Sequence, residues 1–218
     1  MTFRLPRLAY TYEAMEPYLD GRTMELHYSR HHAQLVQRLN DVLRMVPSVA
    51  GRNLEETVED IRAVPETWRQ AFRNYAGGHL NHSLFWHILA PPAGADATAA
   101  GEPSGLLRQA LESAFGNMAD FRRKFADSAM SRFGAGWAWV AVDHNGEVDI
   151  LTTPNEDSPI MLGYRPILGL DLWEHAYYLT YPTRREAYLD AFWHLVHWGH
   201  VAALYAHCIE MTGRIRSR

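Results

Sequence analysis

The sequence has very little cysteine, because Cys208 is the only one in 218 residues. A disulfide within one chain is therefore excluded, and the composition favours a reducing compartment. Apolar runs are short as well, and none approaches the roughly 18 residues that cross a bilayer. The N-terminal residues also lack the apolar core of a signal peptide. We therefore expect a cytoplasmic protein with no membrane partner.

An excess of charge of one sign is also missing. The chain has 21 basic and 25 acidic residues, for a formal net charge of -4. This balance gives neither a broad basic field nor an acidic tail, so we expect no nucleic-acid partner and favour a small ligand. The hydrophobic content of 47% is enough for a large buried core.

The first half of the chain has the pattern of two long helices. Apolar residues recur at helical spacing over residues 20–45 and again over 66–90, where the second run follows Pro65 and stops at Pro91. A shorter helix is predicted at about 53–63. Two long helices so close in sequence can pair, and we predict an antiparallel helical-hairpin domain over residues 1–91.

The second half has a different pattern. Residues 92–103 are rich in proline, glycine and alanine, which is typical of a linker. Helices are predicted at 104–115 and 118–131, and a β-hairpin is predicted around Asn145-Gly146. A third strand at 164–172 and a helical tail at 184–211 complete an α+β domain over residues 104–218. The predicted fold class is therefore α+β, with a three-stranded antiparallel sheet and surrounding helices.

Twelve histidines invite a search for metal-ligand spacing. His27 and His31 are four positions apart, and His79 and His82 are three apart. Either pair on its own is more typical of core or surface histidines than of metal ligands. Each pair nevertheless lies beside large aromatic residues in a predicted helix.

Asp171 and His175 form a D-x-x-x-H motif at the end of the third predicted strand. A carboxylate and an imidazole can converge there on one cation, although a short motif of this kind on its own is more typical of an Asp that caps the next helix. With the helical histidines, the motif gives several imidazoles and a single carboxylate. Such a donor set suits iron or manganese better than calcium or magnesium.

Five strings carry a family resemblance: TMELHYSRHH (23–32), GGHLNHSLFW (77–86), FGAGWAWV (133–140), LDLWEHAYYL (170–179) and AFWHLVHW (191–198). In this order, and across essentially the whole chain, they resemble the iron/manganese superoxide dismutases. The resemblance implies one manganese or iron ion per chain and conversion of superoxide to dioxygen and hydrogen peroxide. It also implies a homodimer, with a tetramer as the alternative.

The resemblance assigns roles to particular residues. The implied metal ligands are His27, His82, Asp171 and His175. His31 would line the substrate funnel, and the implied site walls are Trp86, Trp137 and Trp173. Glu174 and Tyr178 would reach toward the second subunit.

Two positions depart from the family pattern. Leu35 stands where family members usually have a tyrosine that helps to deliver protons. Glu156 stands where manganese-type members have a glutamine, and Gly78 occupies the position of the iron-type glutamine. An ionised Glu156 can only accept hydrogen bonds, whereas a protonated one can imitate the glutamine donor. A third alternative is that the loop is shifted and Glu156 faces solvent.

These departures leave a second functional hypothesis open, in which a divergent member uses its metal for another redox reaction or binds metal without efficient dismutation. Arg30, Arg184 and Arg185 are candidates for steering an anion, or are ordinary surface charges. The last helix adds four histidines, which fit packing or solvent exposure better than a second metal site. They are His194, His197, His200 and His207.

Overall fold

A computed structural model describes residues 2–92 and 101–216. The predicted linker at 92–103 lies mostly outside these residues, so its assignment stays a prediction. Within the described ranges, no helix is both long and apolar enough to cross a membrane.

The first long helix is interrupted by a different helical geometry. Helix α1 covers Gly21–Leu26, a π-helical stretch covers His27–His32, and α2 covers Ala33–Met45. Asp20 begins the run by accepting a hydrogen bond from the backbone N–H of Thr23 at 2.8 Å. The sequence predicted one α-helix over 20–45, but the histidine-rich part of it is a π-helix, whose turns are wider than those of an α-helix. Such π-helical turns commonly occur at functional sites.

Helix α2 packs against a second long helix, as the hairpin prediction requires. Helix α3 covers Leu54–Glu59, and α4 covers Glu66–Ile88. Buried side chains of α2, α3 and α4, including Leu39, Val58 and Phe72, form the smaller of two hydrophobic clusters. Burial of these apolar faces holds the hairpin together.

The second half contains the predicted sheet. Helices α5 (Gly105–Phe115) and α6 (Met118–Ser131) precede three strands, β1 (Gly136–Val142), β2 (Val148–Pro154) and β3 (Arg165–Asp171). The order is β2-β1-β3, and both pairings are antiparallel. Gly146 has a φ of +87° in the tight turn between β1 and β2, a conformation that glycine adopts without strain. The α+β fold class is thereby confirmed.

The predicted helical tail is broken into two helices. Helix α7 covers Arg185–Phe192 and α8 covers Trp198–Arg216. Between them, Val196 forms an antiparallel bridge to Leu89, and the N–H of His197 donates to the carbonyl of Ile88 at 2.7 Å. The segment between α7 and α8 therefore pairs with the residue that follows α4, and this pairing interrupts the helix.

The larger hydrophobic cluster joins the two halves of the chain. Phe85, Trp86 and Ile88 from α4 pack in it with buried residues of the sheet, such as Trp137 and Leu170. The C-terminal part of α4 thus belongs to the same core as the sheet. As a result, residues from both halves are held within contact distance of one another.

Candidate metal centre

Four side chains that could bind one metal ion meet between the two halves. His27 comes from the π-helical stretch, His82 from α4, Asp171 from the last position of β3, and His175 from a 3₁₀ turn at Glu174–Ala176. One donor atom of each lies within 4.8 Å of the others. All four were predicted as ligands, and the structure brings them together.

The distances between the donor atoms have the right size for neighbouring ligands. Oδ2 of Asp171 lies 3.1 Å from Nε2 of His27, 3.2 Å from Nε2 of His175 and 3.6 Å from Nε2 of His82. Two ligands that each lie about 2.1 Å from a metal are roughly 3.0 Å apart at 90° and about 3.6 Å apart at 120°. The three distances from Asp171 therefore match those between neighbouring ligands of a first-row transition metal.

Hydrogen bonds from neighbouring groups orient the donor atoms. Nδ1 of His82 donates to the carbonyl of Gly78 at 2.7 Å, which leaves Nε2 as the unprotonated nitrogen. The N–H of Trp173 donates to Oδ1 of Asp171 at 2.8 Å and leaves Oδ2 facing the histidines. The buried Nε2 atoms of His27 and His82 have no hydrogen-bond partner among the described residues. Buried nitrogens without a partner are expected where a cation binds.

The charges also fit a metal centre. Burial lowers the pKa of His27 to about 4 and holds the pKa of His82 well below its usual value, so both imidazoles are neutral at physiological pH. Burial works against the charge of Asp171, but its contacts with His175 and His27 outweigh burial and lower its pKa. For His175, burial is outweighed by Asp171, and the pKa is raised. His27 and His82 thus offer neutral imidazoles beside one ionised carboxylate, which suits manganese or iron.

Glu156 lies at the edge of this cluster. Glu156 as a whole residue is 6% exposed, so the alternative in which it faces solvent is wrong. Oε1 lies 3.5 Å from Nε2 of His31, and Oε2 accepts a hydrogen bond from Nε1 of Trp137 at 3.2 Å. Burial raises the pKa of Glu156, although the contact with His31 acts in the opposite direction. Glu156, His31 and His82 also form a second group of potential ligands that shares His82 with the first.

Leu35 and Gly78 pack together beside Glu156. A Cβ atom added to Gly78 would lie 2.9 Å from Cδ1 of Leu35 and 3.4 Å from the carboxyl carbon of Glu156. The absence of a side chain at position 78 therefore leaves the space that these two side chains occupy. Leu35 makes this side of the site apolar.

Aromatic side chains wall the cluster. The rings of Trp86 and His27 meet edge to face at 4.9 Å, and those of Trp137 and His82 do so at 5.0 Å. Trp173 stacks on His175 at 5.7 Å. All three predicted wall residues thus contact a candidate ligand.

A cleft of about 740 Å³ leads to the cluster. His31 and Arg30 line it, together with Glu174 and Tyr178, both of which are exposed at its rim. Arg185 is not available to steer an anion in the same way, since its guanidinium donates to the carbonyls of Arg132, Gly134 and Leu172. Arg184 is exposed and does not line the cleft.

The histidines near the C-terminus are spread over different surroundings. His194 stacks on Tyr18 at 4.3 Å, and Nδ1 of His197 accepts from the N–H of His200 at 3.1 Å. His207 lines a small cavity elsewhere. None of the four belongs to a group of potential ligands within residues 2–92 and 101–216. This agrees with the packing or exposed roles expected from the sequence.

Two contacts near the site were missed by sequence reasoning. Nδ2 of Asn81 donates to the carbonyl oxygens of Glu156 at 3.1 Å and Asp157 at 3.3 Å, and thereby fixes the loop that carries Glu156. His79 shares a hydrogen bond with His32 at 2.9 Å. The spacing of GGHLNH places Asn81 on α4, but no local signal indicates a loop 75 residues away.

Acid should destabilise the metal-free chain through its buried histidines. Burial lowers the pKa of His79 to about 4 and that of His32 to about 2, from 6.5. Below pH 6.5 the unfolded chain takes up protons that the folded chain does not. The free energy of unfolding should therefore fall between pH 6.5 and 4, by roughly 1.4 kcal/mol per pH unit for each such proton. Urea denaturation across this range measures how steeply the free energy of unfolding depends on pH. His79→Asn should make this dependence less steep. An equal slope in both proteins would contradict the assignment.

Sequence comparisons agree with this geometry. Residues 2–90 match the family described as iron/manganese superoxide dismutases, alpha-hairpin domain, and residues 103–204 match the C-terminal domain of the same family. A relative from Listeria innocua named "Superoxide dismutase [Mn]" is 50% identical over 91% of this chain and 95% of its own length. A relative of the same name from Thermus aquaticus is 44% identical over 93% of this chain and 97% of its own length. Both domain matches and both relatives therefore lead to one conclusion: the chain belongs to the iron/manganese superoxide dismutase family.

Proposed function

We propose that this protein is a superoxide dismutase that uses one manganese or iron ion per chain, with manganese favoured. The observation that carries the proposal is the cluster of His27, His82, Asp171 and His175, whose donor atoms are buried, correctly spaced and partly without other partners. The activity and the metal named for the Listeria and Thermus relatives support the same function. No contact described above favours a different redox reaction.

When bound, the metal would supply the one-electron redox chemistry by which two superoxide anions and two protons become dioxygen and hydrogen peroxide. The residues of the chain hold and insulate this chemistry. Neutral imidazoles and a single carboxylate keep the net charge of the buried site small, which limits the cost of burying the ion. Trp86, Trp137 and the surrounding core exclude bulk water.

The substrate enters through the cleft that His31 and Arg30 line. Arg30 supplies a positive charge at the mouth, which favours the approach of a small anion.

His31 and Glu156 are the groups placed to handle protons. His31 lines the cleft and faces the Glu156 carboxyl at 3.5 Å, so it connects solvent with the inner end of the site. Leu35 adds no hydroxyl beside them. We therefore assign proton delivery to His31 and Glu156, which would be a shorter route than one that includes a tyrosine.

We also propose that two chains assemble as a homodimer over the rim of the cleft. Tyr178 is 46% exposed and Leu179 is 60% exposed there, beside the exposed Glu174. A second copy placed over these residues would cover apolar surface and narrow the cleft.

The single cysteine is compatible with a cytoplasmic location.

The activity can be tested on the purified full chain. We expect about one manganese or iron ion per chain by elemental analysis, and inhibition of superoxide-driven dye reduction in proportion to metal content. Chain reconstituted with manganese, with iron and with zinc should separate the metals, since zinc does not change oxidation state. A fully manganese- or iron-loaded protein with no more activity than the free ion would disprove the proposed function.

Glu156→Gln tests the role of the buried carboxyl. The amide can donate a hydrogen bond at all pH values, whereas an ionised carboxylate cannot. An amide cannot, however, take up and release a proton as the proposed route requires. We therefore expect the turnover number to fall about 100-fold with unchanged metal content, which is the lower end of what positioned proton-transfer groups contribute. Leu35→Tyr is the companion variant, and Glu147→Gln on the exposed hairpin is the matched control. If neither Glu156→Gln nor Leu35→Tyr changes the rate, proton handling at these positions does not limit the enzyme.

A further inference from the structure

A buried chain of hydrogen bonds runs behind the metal centre. Nε1 of Trp86 donates to Nδ1 of His32 at 2.9 Å, and Nε2 of His32 lies 2.9 Å from Nδ1 of His79. His32 is 0% exposed, Trp86 is 2% exposed and His79 is 7% exposed. We propose that His79 is a positioning residue for the metal centre, acting through His32 and Trp86. This inference rests on the proposed metal centre but not on the reaction that occurs there.

The protonation states of His32 and His79 follow from the donors of this hydrogen-bond chain. An indole nitrogen can only donate, so Nδ1 of His32 must be the unprotonated acceptor. The proton of neutral His32 therefore lies on Nε2 and is donated to His79. Nδ1 of His79 must accept it, which makes His79 the group that fixes the tautomer of His32. Without this acceptor, His32 could carry its proton on Nδ1, where it would oppose the indole N–H.

Two candidate ligands contact members of this hydrogen-bond chain. The ring of His32 lies between His79 and His82, with centroids 5.1 Å and 5.2 Å away and an angle of 26° to the His82 ring. At the other end, the Trp86 indole meets His27 edge to face at 4.9 Å. His32 thus supports the plane of one ligand, and Trp86 supports the plane of another.

The backbone places His79 for this task. His79 and His82 lie one turn apart on α4, so both rings can face His32 across the helix pair. The hydroxyl of Ser83 donates to the carbonyl of His79 at 2.6 Å, and its oxygen lies 3.4 Å from Nδ1. The main-chain carbonyl of Trp86 also accepts from the Tyr10 hydroxyl at 2.8 Å. Hydrogen bonds to their main-chain carbonyls therefore hold His79 and Trp86, the two ends of this hydrogen-bond chain.

Two substitutions separate the hydrogen bond from the volume of the side chain. His79→Leu removes the acceptor and keeps an apolar group of similar size, whereas His79→Asn keeps an oxygen acceptor at the position of Nδ1. We expect His79→Leu to weaken manganese binding about 10-fold, at the lower end of the effect of groups that orient metal ligands. His79→Asn should stay within about threefold of the wild type. His87→Leu, at an exposed histidine of the same helix that lies against His200, is the matched control.

The measurements are chosen to be independent of dismutase activity. Competition with a chelator gives the manganese affinity of the full chain. In zinc-loaded protein, the ¹⁵N shifts of His32 report its tautomer. The ¹⁵N shift of the Trp86 indole, identified by its loss in Trp86→Phe, reports the hydrogen bond to His32. We expect His32 to be protonated at Nε2 in the wild type and in His79→Asn, and the indole resonance to shift in His79→Leu.

Several results would overturn the inference. A wild-type His32 protonated at Nδ1 would do so even if His79→Leu fails to fold. Equal manganese affinity in His79→Leu and the wild type would also do so. Equal losses in His79→Leu and His79→Asn would reduce His79 to a packing role. A protein without dismutase activity that still shows the expected affinity pattern would disprove the proposed function and leave this inference standing.

Discussion

Asp171→Asn is expected to lower the affinity for manganese at least 100-fold while the metal-free fold is retained. The N–H of Trp173 donates to Oδ1 of Asp171, so the amide oxygen of the new side chain would take that position. The amide NH₂ would then point at the histidine nitrogens, where a metal needs an acceptor. A donor in place of a ligand oxygen opposes the cation, and the site loses its only carboxylate ligand.

The fold should survive because the new amide remains partnered. Nε2 of His27 lies 3.1 Å from Oδ2 in the wild type and can accept a hydrogen bond from an NH₂ group at that place. Chelator competition measures the affinity, and thermal unfolding of the metal-free chain measures the fold. Asp149→Asn, at an exposed position on β2, controls for the loss of a carboxylate in the same sheet. Retention of one tightly bound manganese ion in Asp171→Asn would refute the ligand assignment.

Gly77→Ala is expected to lower the free energy of unfolding by roughly 2–3 kcal/mol, which is the usual cost of overpacking a filled site. A Cβ atom at this position would lie 2.2 Å from the carbonyl oxygen of Glu156. The same oxygen accepts a hydrogen bond from Asn81, so the loop cannot move without breaking it. Displacement of the loop would also carry the Glu156 side chain away from His31, and activity should fall as well.

The effect of Gly77→Ala is best judged against another helical glycine. Gly213 on α8 has no atom within 4 Å of an added Cβ. Gly213→Ala should therefore leave stability unchanged or raise it by up to about 1 kcal/mol, since alanine loses less backbone entropy on folding. Gly78→Ala should have an intermediate effect, because the end of the flexible Leu35 side chain can give way. Chemical denaturation of the three variants tests this ranking, and a Gly77→Ala protein as stable as the wild type would contradict it.

The candidate ligands could be found from sequence because each lies in a short string that resembles the iron/manganese superoxide dismutases. His82 lies in GGHLNH, and Asp171 and His175 share D-x-x-x-H. The relation between these strings could not be derived from local spacing, since it depends on contacts between distant residues, such as His27 and Asp171, which are 144 positions apart. The family resemblance supplied that relation, and the geometry of the four donor atoms now supports it.

Other features depended on the packing of distant segments. The pattern over residues 20–45 predicts a helix, but periodicity does not distinguish an α-helix from an α-helix with a π-helical stretch at His27–His32. The break after Phe192 arises because Val196 pairs with Leu89, far away in sequence. Whether Glu156 faced solvent or the site was likewise open, until Asn81 and Trp137 were found to hold its loop and carboxyl.

The sequence by itself determined the α+β class, the helical hairpin, the sheet and the residues able to bind a metal. The class, the hairpin and the sheet follow from hydrophobic periodicity and turn residues, which are local, whereas the set of metal ligands follows from the family resemblance. Only the tertiary structure decided that Glu156 is buried against His31 and that Gly77 touches its loop. It also decided that His79 bonds to His32 behind the metal centre. The physical reason is that such contacts depend on the close packing of segments far apart in the chain, where a difference of one methyl group decides what fits.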